Sequence, residues 1–322
     1  MTTFGYTVMT EEHDPRDLVA NARRAEELGF DFVASSDHYH PWVPEQQHSA
    51  YAWSLLGAVA AVTERVGLMT MVTCPIVRYH PVVVAQKAAT MGLLSDGRFT
   101  LGLGAGERLN EHVVGQGWPS AAVRHEMLAE AIEIIRMLWH GGYADHRGRY
   151  FTVEDARVFD LPDSPVPIAV AASGPESARL AAEVGDGLIA TEPNPEVVEG
   201  FRQARDGGAG STWNQIPMCF GTDADEALER AHRTFRWSAL GWKVQAELPN
   251  PVNFDAASAQ VRPDDLRSTI PTGPDVKPYL DAIEEVSSAG YENIALVQVG
   301  DDQDGFFRFW QDELQPALAE RR

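Results

Sequence analysis

Phe32-Val33-Ala34-Ser35 runs straight into Ser36-Asp37-His38-Tyr39-His40-Pro41-Trp42, so an apolar stretch of strand length is followed at once by a carboxylate, two imidazoles and an indole. Polar chemistry at the C-terminal end of a strand is the hallmark of α/β-barrel active sites. A histidine takes or gives a proton near neutral pH, and a neighbouring Asp orients or polarises it. The same residues also fit a helix start, with Asp37 as N-cap and the histidines on a wet loop.

The residues leading into this stretch, Glu27-Leu28-Gly29-Phe30-Asp31-Phe32-Val33, are echoed by Glu183-Val184-Gly185-Asp186-Gly187-Leu188-Ile189 and by Ser288-Ala289-Gly290-Tyr291-Glu292-Asn293-Ile294. Glycine just past a helix can take the left-handed conformation that ends it. A joint repeated from the first unit to the last favours one repeating barrel over two unrelated domains. Apolar runs predict eight strands, at 4–8, 31–35, 66–72, 99–103, 167–171, 187–190, 217–221 and 293–299. Amphipathic patterns predict helices between most of them, at 15–28, 53–63, 82–94, 176–184, 195–204, 224–235 and 276–289. Near-continuous apolar strands alternating with helices signal parallel βα units, and hence a (β/α)8 barrel. Asp14-Pro15, His80-Pro81 and Asn194-Pro195 each fit an N-cap followed by proline at the first helical position.

Two long segments break the spacing. Residues 110–166 carry an extra helix at 124–139 and a hairpin around 148–158, and residues 236–272 form a proline-rich excursion. Insertions of this kind on barrel loops shape substrate pockets or subunit contacts.

With 322 residues, 44% of them apolar, the chain can bury a large core. No run of ~18 apolar residues predicts a membrane span. The start, Met1-Thr2-Thr3-Phe4-Gly5-Tyr6, lacks a basic region and an apolar core, and Cys74 and Cys219 are too few for a disulfide framework, so the expected compartment is the cytoplasm. A formal net charge of −21 argues against a nucleic-acid partner, since phosphate backbones are held by clustered Lys and Arg. Small anions remain possible ligands, because helix N-termini bind them through backbone N–H groups whatever the net charge.

In a barrel the residues just after each strand share one mouth. Those residues are Asp37, His38 and Trp42; Thr73-Cys74-Pro75 with Arg78 and Tyr79; Gly104-Ala105-Gly106-Glu107 with Asn110-Glu111; Ala172-Ser173-Gly174-Pro175; and Thr191-Glu192. Gly102-x-Gly104-x-Gly106 is not the spaced dinucleotide fingerprint and reads as a loop that lets something flat approach the backbone. Glu107 is either a functional carboxylate or a solvated one. Ser173-Gly174-Pro175 opens a helix and either offers N–H groups to a phosphate or makes a tight turn. His38-x-His40 suggests a metal, as in barrel hydrolases, with His48 and His80 available to complete a site. Strands five and six end in Ala172-Ser173 and Ala190-Thr191, without a ligand, and no metal is assigned. No G-x-S-x-G elbow occurs, and Cys74 and Cys219 have no neighbouring His to suggest a thiol enzyme.

Taken in order, Ser36 to Trp42, Cys74-Pro75-Ile76-Val77-Arg78-Tyr79-His80-Pro81, Leu103-Gly104-Ala105-Gly106-Glu107-Arg108-Leu109-Asn110-Glu111, Ala171-Ala172-Ser173-Gly174-Pro175 and Gly185-Asp186-Gly187 resemble the luciferase-like family of TIM-barrel oxidoreductases, and within it the coenzyme F420-dependent glucose-6-phosphate dehydrogenase group. The likeness covers nearly the whole chain and implies one barrel domain over residues 1–322. It implies a deazaflavin across the mouth, contacted by Asp37, Met71, Val72, Cys74, Gly106, Asn110, Ser173 and Gly174, and a non-prolyl cis peptide at Met71-Val72. It also implies hydride transfer between the deazaflavin and a CH–OH group or its carbonyl. On that basis His38 is the expected general base, Glu107 the proton donor or relay to the ring, Trp42 a wall that holds the reacting carbon, and Glu11 a weaker candidate for steering the hydroxyl.

Substrate choice is where the resemblance is incomplete. Two of the basic positions expected of sugar-phosphate members are Asn194 and Ser268 here; Lys243 persists, and Arg267 is one place off. Losing two of three cations forfeits charge-assisted hydrogen bonds of ~1.5–3 kcal/mol each. The expectation is a sugar or secondary alcohol poorly matched to glucose 6-phosphate, with Thr191, Asn194 and Lys243 at the substrate. The alternatives are an FMN-dependent monooxygenase of the same fold and a metal-dependent barrel hydrolase. The family also implies a homodimer, to which Trp118 and Trp139, expected on the surface of the first insertion, would contribute.

Overall fold

The computed structural model describes residues 2–321. Among these residues are ten strands: β1 Thr3–Val8, β2 Phe32–Ser35, β3 Gly67–Thr70, β4 Phe99–Leu103, β5 Ala144–Arg147, β6 Thr152–Ala156, β7 Ile168–Ala171, β8 Gly187–Ala190, β9 Ser211–Met218 and β10 Asn293–Gln298. Eight are parallel and close into a barrel in the order β1-β2-β3-β4-β7-β8-β9-β10, while β5 and β6 form a separate antiparallel hairpin. The helices are α1 Pro15–Glu27, α2 Ala52–Val62, α3 Pro81–Leu94, α4 Arg108–Glu111, α5 Ala121–Trp139, α6 Pro175–Val184, α7 Pro195–Ala204, α8 Ala224–Phe235, α9 Trp242–Gln245, α10 Pro251–Ser258, α11 Val276–Ser288, α12 Gln303–Phe309 and α13 Gln315–Glu320. The expected (β/α)8 architecture is present, and among the described residues no helix is long and apolar enough to cross a membrane.

The barrel interior is filled by alternate residues of its strands: Phe32, Ala34, Met69, Met71, Ala169, Ile189 and Ala295, with Val72 and Trp213 packed against them. Large side chains are accommodated by glycine on the next strand. A Cβ on Gly5 would lie 2.3 Å from the Phe32 ring, and one on Gly187 would lie 2.3 Å from the Trp213 ring. Alternating large and small residues in this way lets a closed parallel sheet pack solid.

All three expected caps are made. Asp14 accepts from the Arg16 N–H, His80 Nδ1 from Val82 N–H and Asn194 Oδ1 from Glu196 N–H. Gly29 and Gly290 take the left-handed conformation, with φ of 81° and 99°. Gly185 differs: it is extended, with φ −105°. Its constraint is space, since a Cβ there would come within 2.9 Å of both Ala181 O and Val170 Cγ2.

The seventh barrel strand is the main correction. It occupies Ser211–Met218 rather than 217–221, pairing Ser211 with Gly187 and Trp213 with Asn293. Its alternation of buried Thr212, Asn214, Ile216 and Met218 with partly exposed neighbours is too polar to read as a buried parallel strand. Beyond it, Cys219 makes only an isolated bridge to Thr272. The expected hairpin also begins earlier, at Ala144.

The 236–272 excursion folds as short helices over the C-terminal face. Trp237, Phe254, Leu266 and Ile270 form a second apolar cluster with Trp42, Val43 and Leu109. Arg236 is buried and fastens this layer, with Nη2 2.9 Å from Glu45 Oε1 and 2.6 Å from Asp255 Oδ1.

Candidate active site

No helix begins at Asp37. Its carboxylate is enclosed beneath the loop after β2, where Oδ2 accepts from Trp53 Nε1 at 2.9 Å and Thr73 Oγ1 at 2.7 Å. Oδ1 accepts from Arg78 Nη2 at 3.0 Å and from the Tyr79 hydroxyl at 3.2 Å. Four donors on one buried carboxylate tie the ends of β2 and β3 together, with α2 behind them. Arg78 is shared with Glu111, whose Oε2 accepts from the Arg78 N–H at 2.7 Å. Burial works against the Arg78 charge, yet Asp37, Tyr79 and Glu111 hold its pKa above the ordinary value. Burial pushes the Glu111 carboxyl up to about 7, against the pull of Arg78.

With Asp37 spent below, His38 stands at the mouth between two carboxylates. Its Nδ1 lies 3.1 Å from Glu11 Oε1 and its Nε2 lies 3.4 Å from Glu107 Oε1. The Nδ1 contact is close but not aligned as a hydrogen bond. Glu11 Oε2 is held by Ser36 Oγ at 2.8 Å and Thr10 Oγ1 at 3.2 Å, leaving Oε1 for the imidazole. Glu107 is mostly buried rather than solvated, its side chain 14% exposed, and it accepts from Asn110 Nδ2. Asn110 Oδ1 in turn accepts from the N–H groups of Tyr39 and His40, at 2.7 and 3.1 Å. One amide therefore fixes Glu107 relative to the loop that carries His38.

Trp42 covers the imidazole, with ring centroids 4.7 Å apart. The indole also stacks on Trp237 at 4.0 Å, and Phe254 meets it edge-on at 5.2 Å. Trp237 and the buried Gln46, which accepts from the Trp42 N–H, were not anticipated from sequence. Neither lies in a recognisable motif, because each acts by long-range packing onto the loop.

Beside this acid–base edge the strand ends form an apolar floor. The Met71-Val72 peptide is cis. Val72 lies so close to Gly104 that a Cβ there would sit 2.7 Å from Val72 Cγ2, and a Cβ on Gly102 would strike Thr70 O. The glycine run thus admits the protein's own third strand, not only a flat ligand as its spacing suggested. Gly106 has φ 74°, and a Cβ on it would fall 2.5 Å from Cys74 Sγ. Cys74 is buried, and burial raises its thiol pKa well above the ordinary value.

At α6 the N–H groups of Ser173 and Gly174 point at Ser177 Oγ, at 3.1 and 3.2 Å, and Gly174 faces open space. Thr191 is exposed after β8, Asn194 uses its side-chain oxygen as the α7 cap, and Lys243 is exposed on α9. Arg267 is bonded to Asp264 and Asp225. Among the described residues no group of three His, Cys, Asp or Glu is gathered as for a metal ion. Trp118 and Trp139 are not surface residues. Both are half-buried against the core, Trp118 under Arg124 and Trp139 donating to Ala85 O at 2.9 Å.

Comparison with known proteins agrees with this fold. A family described as luciferase-like monooxygenase matches residues 1–304. The F420-dependent glucose-6-phosphate dehydrogenases of Microbacterium testaceum (strain StLB037) and Beutenbergia cavernae are 35% and 36% identical, over 99% and 100% of this chain and 98% of each relative. An F420-dependent secondary alcohol dehydrogenase, solved with an F420-acetone adduct, superposes with a TM-score of 0.91 at 31% identity, covering 98% of this chain and 99% of that one. A coenzyme F420-dependent tetrahydromethanopterin reductase from Methanopyrus kandleri, at 20% identity and a TM-score of 0.78 over 98% and 99% of the two chains, shares the fold. With its whole barrel inside the span that the family matches, the chain belongs to the luciferase-like family.

Proposed function

We propose that this protein is a coenzyme F420-dependent oxidoreductase acting on the CH–OH group of a neutral alcohol or sugar, or on the corresponding carbonyl. The observation that carries the reading is the His38 imidazole held between Glu11 and Glu107 at the edge of an apolar floor.

The residues fit the cofactor. Val72 beside Gly104 offers a flat apolar surface to a ring, the acid–base cluster stands at its edge, and the α6 N-terminus with open space at Gly174 suits an anionic tail. Asp37, Cys74 and Asn110 support that bed from below, their side chains buried in the protein's own contacts. When bound, a deazaflavin supplies a ring carbon that accepts or returns a hydride, leaving proton management to the protein.

Glu11, fixed by Ser36 and Thr10, orients the imidazole through Nδ1 so that Nε2 takes the hydroxyl proton. Glu107, against the same nitrogen, relays protons toward the ring and is held in place by Asn110. Trp42 excludes water from the imidazole and walls the reacting carbon.

The neutral substrate follows from how the cations are spent. Arg78 is committed to Asp37 and Glu111, Arg236 to Glu45 and Asp255, and Arg267 to Asp264 and Asp225. Of the positions compared with the sugar-phosphate members, Asn194 caps a helix and only Lys243 keeps an uncommitted cation, which by itself is an inadequate clamp for a phosphate. Thr191 and Lys243 stand at the rim to meet hydroxyl groups.

The reading extends to a cytoplasmic homodimer. Both cysteines are free and buried, and Tyr143 and Phe159, 69% and 68% exposed beneath Arg157, give an apolar patch on the first insertion.

Fluorescence titration with F420 beside FMN tests the cofactor, followed by turnover of secondary alcohols, glucose and glucose 6-phosphate. Saturable binding of F420 with turnover of neutral alcohols is expected. Preference for FMN, or a strong preference for glucose 6-phosphate, would overturn the corresponding half of the reading. Light scattering on the eluting protein decides the dimer.

A further inference from the structure

Gln46 closes the 3-10 turn Pro44–Gln46 and is 3% exposed. Its Oε1 accepts from the Trp42 N–H at 2.8 Å and lies 3.4 Å from the Val43 N. The other half of the amide, Nε2, is buried without a hydrogen-bond partner, and so are Glu12 Oε1 and Thr234 Oγ1. These three atoms belong together, since the Glu12 carboxyl is faced by the side chains of both Gln46 and Thr234 without a closed hydrogen bond to either. Glu12 Oε2 accepts from the Gly300 N–H at 2.7 Å. A polar knot therefore joins the ends of β1, β2 and β10 to α8, and Gln46 ties it to the backbone of the tryptophan that covers His38.

We infer that Gln46 is a positioning residue for the acid–base site, fixing Trp42 through its backbone N–H, and through Trp42 the imidazole of His38, with the Glu12 carboxyl and Thr234 beyond the other half of its amide. The reason is geometric. The Trp42 indole meets two rings at once, His38 at 4.7 Å and Trp237 at 4.0 Å, so its backbone must be held in register for the stack and the wall to form together. Gln46 is the side chain that holds it. Buried amides at such points fix ligand-facing residues as outer-shell partners fix metal ligands.

The inference rests on the functional reading above, and its test is read partly without cofactor. In Gln46→Met the shape is kept and both polar atoms are lost; in Gln46→Glu the acceptor for Trp42 is kept, and the new carboxyl shares a proton with Glu12, whose own pKa burial raises. Residue-resolved amide exchange on the ligand-free protein is expected to quicken at least tenfold at Trp42 in Gln46→Met and to change less than threefold in Gln46→Glu. With F420 and a secondary alcohol, Gln46→Met is expected to lower kcat roughly tenfold or more while the Kd for F420 moves less than threefold, and Gln46→Glu to recover most of kcat. Unchanged exchange at Trp42, kcat within twofold of wild type, or parallel loss of kcat and cofactor affinity would each overturn the role. Should Gln46→Met not fold, Thr234→Val carries the test: faster exchange at Trp42 supports the knot, and unchanged exchange overturns it. If the wild-type protein fails to bind F420, the functional reading falls, while the exchange arm still decides whether Gln46 holds Trp42.

Discussion

The indoles of Trp42 and Trp237 stack with centroids 4.0 Å apart and planes 10° from parallel, joining the loop after β2 to the excursion that covers the barrel mouth. Both are buried, so the contact is a core contact outside the barrel core. Replacing either by alanine is expected to cost about 3–5 kcal/mol of stability. A double-mutant cycle in urea is expected to show about 0.5–1.5 kcal/mol of coupling between them. Coupling indistinguishable from zero would mean that the stack adds nothing beyond the burial of each ring.

His38 touches Glu11 and Glu107 through different nitrogens, which separates orientation from relay. His38→Ala is expected to lower kcat by about 10²–10⁴ with little change in F420 affinity. Glu11→Gln is expected to cost about tenfold in kcat, and almost nothing further on the His38→Ala background, because residues acting as a unit are not additive. Independent, multiplying effects would place Glu11 on the substrate rather than behind the imidazole.

The barrel, and the strand-end residues it gathers at one mouth, were readable because they rest on local patterns. Asp14, His80 and Asn194 announce their helices by cap chemistry, and His38 follows an apolar strand without interruption. β9 was misplaced because its pairing with β8 and β10, not its own polar composition, makes it a strand. Gly185 was misread because a space constraint and a left-handed turn call for the same residue. Asp37 could be located but not its use: nothing in the order of residues says that Trp53, Thr73, Arg78 and Tyr79 converge on it. Trp237 and Gln46 were illegible for the same reason, their partners lying in other loops or behind a turn.

Glu26 ends α1 by gripping the turn before β3, its carboxylate accepting from the N–H groups of Glu64, Arg65 and Val66 at 2.6 to 3.1 Å. Burial alone would raise its pKa, but those three backbone donors outweigh it and hold the carboxyl below its ordinary value. A depressed pKa gives stability that is present above the ordinary carboxylate range and lost as pH falls through the folded value. Glu26→Gln is therefore expected to cost about 1–2 kcal/mol at pH 7. The difference should shrink in acid, which urea unfolding at pH 7 and pH 3.5 would reveal. A cost independent of pH would assign the effect to packing.

Glu111 presents the opposite sign. Burial raises its pKa from 4.5 to about 7, with Arg78 pulling the other way and Glu107 and Asp37 adding to the rise. The folded protein then keeps a proton that the unfolded chain has already released. Its contribution to stability is complete below about pH 4.5 and is lost as pH rises through about 7. Glu111→Gln removes this titration while keeping an acceptor for the Arg78 N–H. Relative to wild type, the variant is expected to gain up to about 3 kcal/mol between pH 4.5 and pH 8, and nothing further above that. Unfolding free energies measured across this range decide the matter. A difference that stays flat would show that Arg78 keeps Glu111 ionised throughout, making the Asp37–Arg78–Glu111 group a permanently charged triad beneath the site.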